Sequence, residues 1–408
     1  MSGGPAVRRV QDAVLAAAAL LALAGLAGTP SPARALTIDA RFDATITSDP
    51  RAADIEATLN SVIAQYQARI VDAVTSQIRF IEQTTGLGNS RDYGPFVPYA
   101  SYLSALQTHA SSSDDAIVLT HMGPGPNNPV NGNANLYVPQ TLSRTLGFST
   151  APPAAATPYA VGRRVTVLEP ESEGLRTRER SSLTVISPEA VQAATEDTIY
   201  LNVASTNILS TDHDASKYSL FAVASHEVDE VLGFGSALTG TANGGAVPTG
   251  AIQPEDLFRF DPRGNRSFST TLSDTAYCCF DGFTVLARFN QKSGGDFSDW
   301  YSPGGQTPQV QDAFGTPGST PQMGVEWRVL DAIGYSYGPA AVWVDFSYGG
   351  PIQNGQFATP YFSLAQAIAA VPSGGIILVK GGGYTLELPT ITKAMTITTV
   401  GGSVNVGF

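Results

Sequence analysis

The chain has 408 residues, 43% of them hydrophobic and only 14% charged, which is enough apolar material for at least one large core and argues against disorder. A net charge of −12 disfavours nucleic acid as a partner. Gly 41 and Pro 27 predict abundant turns and short strands in a mixed α+β fold and argue against a helical bundle.

At the N-terminus, Arg8 and Arg9 precede an apolar run over residues 14–26 and a small-residue stretch ending in Ala33-Arg34-Ala35. This is the pattern of a secretory signal peptide, residues 1–35, with cleavage after Ala35. The run is shorter than the roughly 20 residues a membrane-spanning helix needs, and no later stretch is apolar enough to span. The mature protein is therefore expected to be secreted or periplasmic, with no membrane span.

Residues 37–47 alternate polar and apolar, as a half-buried strand does. In residues 55–73, Leu59, Ile63, Tyr66, Ile70 and Ala73 recur at helical spacing, and residues 74–82 read as the next strand. A short helix is expected over residues 99–109, and loops over residues 123–135 and 150–158, which are rich in Pro, Gly, Asn and Ala. Residues 198–204 form a further strand that leads into the helix carrying His226. Residues 258–337 read as short strands, and the adjacent Cys278 and Cys279 are either a strained vicinal disulfide or two free thiols.

A composition break at Gly338-Pro339 divides a predicted domain, residues 36–338, from a β-rich module, residues 339–408. In the module, Ser363 caps a helix over residues 361–371, and strands are expected near residues 376–379, 395–399 and 404–406. With residues 342–350 this pattern resembles the cap and opening coil of a right-handed parallel β-helix. The chain stops before a stack of rungs, so the module is either a small sandwich-like unit or a coil suited to self-association.

The chemistry-bearing segment is Ser225-His-Glu-Val-Asp-Glu-Val-Leu-Gly233. His226 and Glu230, four residues apart on a helix, share a face and can reach one ion, while Phe221, Ala224, Val228, Val231 and Leu232 anchor the opposite side. The spacing is that of the zinc-peptidase motif H-E-x-x-H, in which the intervening Glu is the general base, here Glu227. Two departures stand out. Glu230 replaces the second histidine, and Ser236 stands where the extended metzincin form places a third ligand, three residues after Gly233. On spacing alone, His226, Glu227, Asp229 and Glu230 would equally suit a solvated helix face.

Four segments recur in this order: residues 221–235 (containing Ser-His-Glu-Val-Asp-Glu-Val-Leu-Gly-Phe), residues 254–268 (beginning Pro-Glu-Asp-Leu-Phe-Arg-Phe), Gly294-Gly-Asp-Phe-Ser-Asp-Trp300, and Trp327-Arg-Val-Leu-Asp-Ala-Ile-Gly-Tyr335. Together they resemble a poorly characterised bacterial family of secreted metalloproteases, similar to metzincins around the helix, over roughly residues 36–337. The resemblance implies a metzincin-like domain with a central active-site helix, a Zn2+ cofactor and a protein or peptide substrate.

For the third ligand the preferred residue is Asp256, which follows a glycine-rich loop and would otherwise pair with Arg259; His213, His109 and His121 are the other imidazoles. Asp296 and Asp299 lie in a loop that is a candidate for Ca2+, although an ordinary turn fits it better. Met323 reads as a loop or core methionine and Tyr335 as a packed tyrosine. The competing function is a non-catalytic secreted adhesion or matrix protein on a degenerate peptidase scaffold.

Overall fold

The computed structural model describes residues 35–148, 160–171, 174–185, 196–239 and 245–407. Apart from Ala35, the expected signal peptide lies outside the described residues, as does the whole of the expected loop at 150–158. Among the described residues no helix is long and apolar enough to cross a membrane.

Among the described residues the fold is mixed α+β without a barrel. Strand β1 (Thr37–Phe42), helix α1 (Ala52–Arg69) and strand β2 (Thr75–Glu82) form a β–α–β unit whose two strands run parallel, the helix serving as the crossover that parallel pairing requires. The predicted strand over 37–47 ends at Phe42. Asp43 instead caps a single helical turn, Ala44–Thr47, by accepting a hydrogen bond from the Thr45 N–H. The sheet continues from β2 to a parallel strand β4 (Asp197–Leu201) and then to an antiparallel edge strand β3 (Gly88–Arg91). β4 is buried almost throughout, as an inner strand should be.

Helix α2 (Leu220–Leu232) packs on this sheet and on α1. Ser219 caps its start, and Gly233, at a φ of 131°, ends it. Gly233 is required twice over, since a Cβ there would lie 2.7 Å from Ile333 Cδ1. The short strands expected over 258–337 exist as Arg259–Phe260, Tyr277–Cys279 and Val285–Arg288, which form one antiparallel sheet. The same stretch ends in a helix, α3 (Val325–Ile333), whose buried Val329, Leu330 and Ile333 follow helical spacing. Helices Ser113–His121 and Gln140–Thr145 and the antiparallel pair Ala160–Glu171 and Gly174–Val185 are further elements that the sequence reading left unassigned. Cys278 and Cys279 are both free thiols, buried in the sheet.

Beyond residue 338, strands β5 (Val342–Val344), β6 (Ile376–Lys380) and β7 (Thr396–Val400) pair in parallel, and a second parallel pair joins Tyr384–Thr385 to Asn405–Val406. Successive turns of one coil therefore stack on each other. Helix α4 (Leu364–Ala370) begins at Ser363, whose side chain accepts from the Gln366 N–H as expected. The module has a small core of its own around Val344, Leu364, Val371 and Val379. It also shares the main core through Trp343, Phe357, Leu378 and Val400. The Phe357 ring stacks on Phe221 of α2, with centroids 3.7 Å apart and planes 6° from parallel.

Candidate metal centre

Helix α2 is buried on almost every side, so the segment around His226 is not a solvated face. Glu227 is 5% exposed and Asp229 fully buried. Asp229 faces α1, where the Tyr66 hydroxyl lies 2.7 Å from its Oδ1 and 2.9 Å from the Ser225 carbonyl oxygen. Burial, with the charge of Glu326, holds the Asp229 carboxyl well above the usual carboxylate range. Asp229 therefore serves the packing of α2 on α1. His226, Glu227 and Glu230 face the other way, into a cleft of about 400 Å³ lined also by Gly88, Asn89, Ala222, Asp296, Asp299, Val310 and Asp312.

One ligand atom from each of His226, Glu227 and Glu230 lies within 4.8 Å of the other two. The His226 Nδ1 is 3.0 Å from the Val310 carbonyl oxygen. A carbonyl only accepts, so Nδ1 carries the proton, and in the neutral ring the Nε2 lone pair is left for the cleft. Glu230 Oε1 stands 3.6 Å from that Nε2, while its Oε2 accepts a hydrogen bond of 2.6 Å from Ser90 on the edge strand. Burial opposes ionisation of Glu230, yet His226 and Ser90 outweigh it and hold its carboxyl below the usual range. For His226, burial opposes protonation, but Asp299 and Glu230 prevail and raise its pKa well above the ordinary value.

Glu227 is the unusual group. Burial and the neighbouring charge of Glu230 hold its carboxyl well above the usual range, and its Oε2 is buried with no hydrogen-bond partner. The carboxylate fits only because residue 88 is glycine, since a Cβ there would stand 2.1 Å from Glu227 Oε1. The imidazole of His226 and the carboxylate of Glu230 are donors that suit a divalent cation, and the orphaned buried oxygen of Glu227 beside them marks a place for a polar group in the cleft.

Among the remaining candidates, Asp256 lies apart from His226, Glu227 and Glu230. Its Oδ2 accepts from the Ala237 N–H at 3.0 Å and the Gln253 N–H at 2.9 Å, and its Oδ1 from the Ser236 hydroxyl, so it braces the chain after α2 and stands outside the ligand cluster. Ser236, where the metzincin pattern has a ligand, is consumed by the same contact. Arg259 binds the carbonyls of Phe297 and Asn290 and the side chain of Gln291 instead of pairing with Asp256.

That anchorage shapes the loop read from sequence as a turn or calcium candidate. It sends Asp299 into the cleft, 4% exposed, with Oδ1 3.7 Å from His226 Nε2. Burial pushes the Asp299 carboxyl up to about 8. His213 and His121 are exposed, and His109 sits at the end of its helix, so no second imidazole joins the cluster. Met323 packs against the core with Sδ 3.5 Å from Tyr66 Oη, and Tyr335 donates to the Leu232 carbonyl at 3.0 Å, a packed tyrosine as expected. Gly88 and Ser90 line the site without any signal in the sequence, and Asp299, which the sequence offers only as a calcium or turn residue, faces His226.

No family model matches the chain, and no curated protein or solved structure is significantly similar to it.

Proposed function

We propose that the protein is an exported, metal-dependent peptide hydrolase, with zinc as the metal, built on a metzincin-like arrangement around α2. The observation that carries the reading is the cluster of His226, Glu227 and Glu230 donors at the floor of the cleft, with one Glu227 oxygen buried and unpartnered. His226 and Glu230 would hold the ion. When bound, a divalent metal polarises a substrate carbonyl and lowers the pKa of water at the site.

The protein's own groups supply the rest. The Val310 carbonyl fixes the His226 tautomer, and Ser90 orients Glu230. Glu227, whose burial gives it an affinity for protons above that of an ordinary glutamate, takes a proton from water at its unpartnered oxygen and returns it to the leaving amine. Edge strand β3, whose outer side pairs with no strand among the described residues, borders the cleft through Gly88 and Asn89 and offers backbone groups to an extended peptide. Export is carried by the N-terminal sequence pattern.

The test is hydrolysis of casein or gelatin by purified mature protein, with and without a chelator, beside Glu227→Gln. The expected result is chelator-sensitive cleavage that falls by about 10²–10⁴-fold in the variant. A wild-type protein that cleaves nothing with zinc present would leave only the non-catalytic scaffold.

A further inference from the structure

We infer that Asp299 is the third protein ligand of the ion held by His226 and Glu230, which leaves Glu227 free as the base. The inference rests on the metal reading proposed above and assigns a ligand set that the helix motif alone lacks.

The distances favour it. Glu230 Oε1 and Asp299 Oδ1 stand 3.6 and 3.7 Å from His226 Nε2. Charge-assisted hydrogen bonds of this kind close to about 2.7–2.9 Å. Donors that share a tetrahedral ion with bonds of 2.0–2.1 Å lie roughly 3.4 Å apart, nearer to the observed separations. With Nδ1 committed to Val310, Nε2 is the free donor at which both carboxylates converge.

Asp299 is also held in place independently of His226. Gln311 Nε2 donates to its Oδ1 at 3.2 Å, and the Asn290 N–H donates to its carbonyl at 2.6 Å. The next residue, Trp300, is fully buried and donates from Nε1 to Glu326 at 3.0 Å. Arg259 binds the same loop through Phe297 and Asn290. A rigid frame of this kind is what a preorganised ligand needs. One imidazole and two carboxylates neutralise a dication, and the unpartnered Oε2 of Glu227, 5% exposed and lining the same cleft, is an independent sign that the cleft holds a ligand.

Zn2+ affinity of the full mature chain, measured by competition with a chromophoric chelator, tests the assignment without reference to catalysis. One ion per chain is expected. Asp299→Asn should lose more than the roughly 10–100-fold that removal of an outer hydrogen-bond partner costs, as should His226→Ala and Glu230→Gln, whereas Glu227→Gln and Asp256→Asn should stay within about tenfold of wild type. In the Co2+-loaded protein, Asp299→Cys should introduce a thiolate-to-cobalt charge-transfer band, a positive signal that remains available if Asp299→Asn does not fold.

An Asp299→Asn loss of about 100-fold or less, an Asp256→Asn loss as large as that of Glu230→Gln, or a cobalt-loaded Asp299→Cys protein without the band would overturn the inference while leaving the hydrolase reading in place. The expected ligand pattern in a protein that cleaves no peptide would overturn the hydrolase reading alone. A wild-type chain that binds no metal would remove both.

Discussion

Gly88→Ala puts the placement of Glu227 to a direct test. The added Cβ would stand 2.1 Å from Glu227 Oε1, 2.8 Å from Cδ and 3.0 Å from Cγ, against an ordinary contact of 3.4 Å or more. The carboxylate must therefore retreat by about 1.3 Å. Gly88 has no positive φ, so alanine is sterically acceptable to the backbone, and the lower entropy of the unfolded chain contributes about 0.4–1 kcal/mol in favour of folding. The fold should survive, with stability within about 1 kcal/mol of wild type. A general base misplaced by about 1 Å costs roughly 10²-fold in rate, so kcat/KM on a peptide substrate should fall by that order while bound metal stays stoichiometric. Adding Glu227→Asp, which shortens the side chain by one methylene, should recover part of the loss, and the two changes should be non-additive. Three measurements check this: peptide hydrolysis, metal content and urea denaturation. Activity within twofold of wild type would refute the argument that the position of Glu227 governs the chemistry, and loss of metal would make Glu227 a ligand.

Asp197, fully buried, has its carboxyl pushed up to about 7 by burial. The folded chain keeps this proton through a pH range in which the unfolded chain releases it, so stability falls as pH rises from about 4 to about 7; Asp197→Asn should remove up to about 4 kcal/mol of that slope, and an unchanged slope in urea denaturation at pH 5 and pH 8 would count against it. Tyr66→Phe removes the hydroxyl between Asp229 and the Ser225 carbonyl and should cost about 1–3 kcal/mol in urea denaturation, with a loss below about 0.5 kcal/mol showing that the contact is idle. Phe357→Ala removes the ring stacked on Phe221 and should cost about 3–5 kcal/mol. Truncation at residue 338 should destabilise the chain at least as much, and a truncated protein that melts with the full chain would mean that the module adds nothing to α2.

What the sequence made legible is what short-range geometry encodes. The i, i+1, i+4 spacing of His226, Glu227 and Glu230 and the glycine stop at Gly233 needed only helix periodicity, and Ser363 needed only the capping rule. Asp299 and Ser90 reach the site through contacts remote in sequence, a loop pinned by Arg259 and the edge of a sheet, and no local period announces either. Asp256 is set by local structure of another kind: the Gln253 side chain and Asp256 form a reciprocal capping box at a short 3₁₀ turn, and a glutamine at the cap gives a weaker signal in the sequence than the usual serine or threonine. Asp43, one residue after β1, carried a similar cap signal within what was read as a longer strand.

The separability of the two predicted domains also changes once the core is considered. A composition break at residue 338 suggested that the first unit could work alone, but the ring of Phe357 covers Phe221, and Phe221 occupies the second position of the helix that presents His226 five residues later. Trp343 packs edge-on against that same Phe357, at 5.1 Å. The module therefore buttresses the rear of α2 while β3 and the Asp299 loop define its front. Ligand separations of a few tenths of an ångström matter to metal affinity, and a helix free to shift at its first turn would not hold them. On this view the parallel coil acts first as a brace for the site helix, and any role in attachment is additional to that.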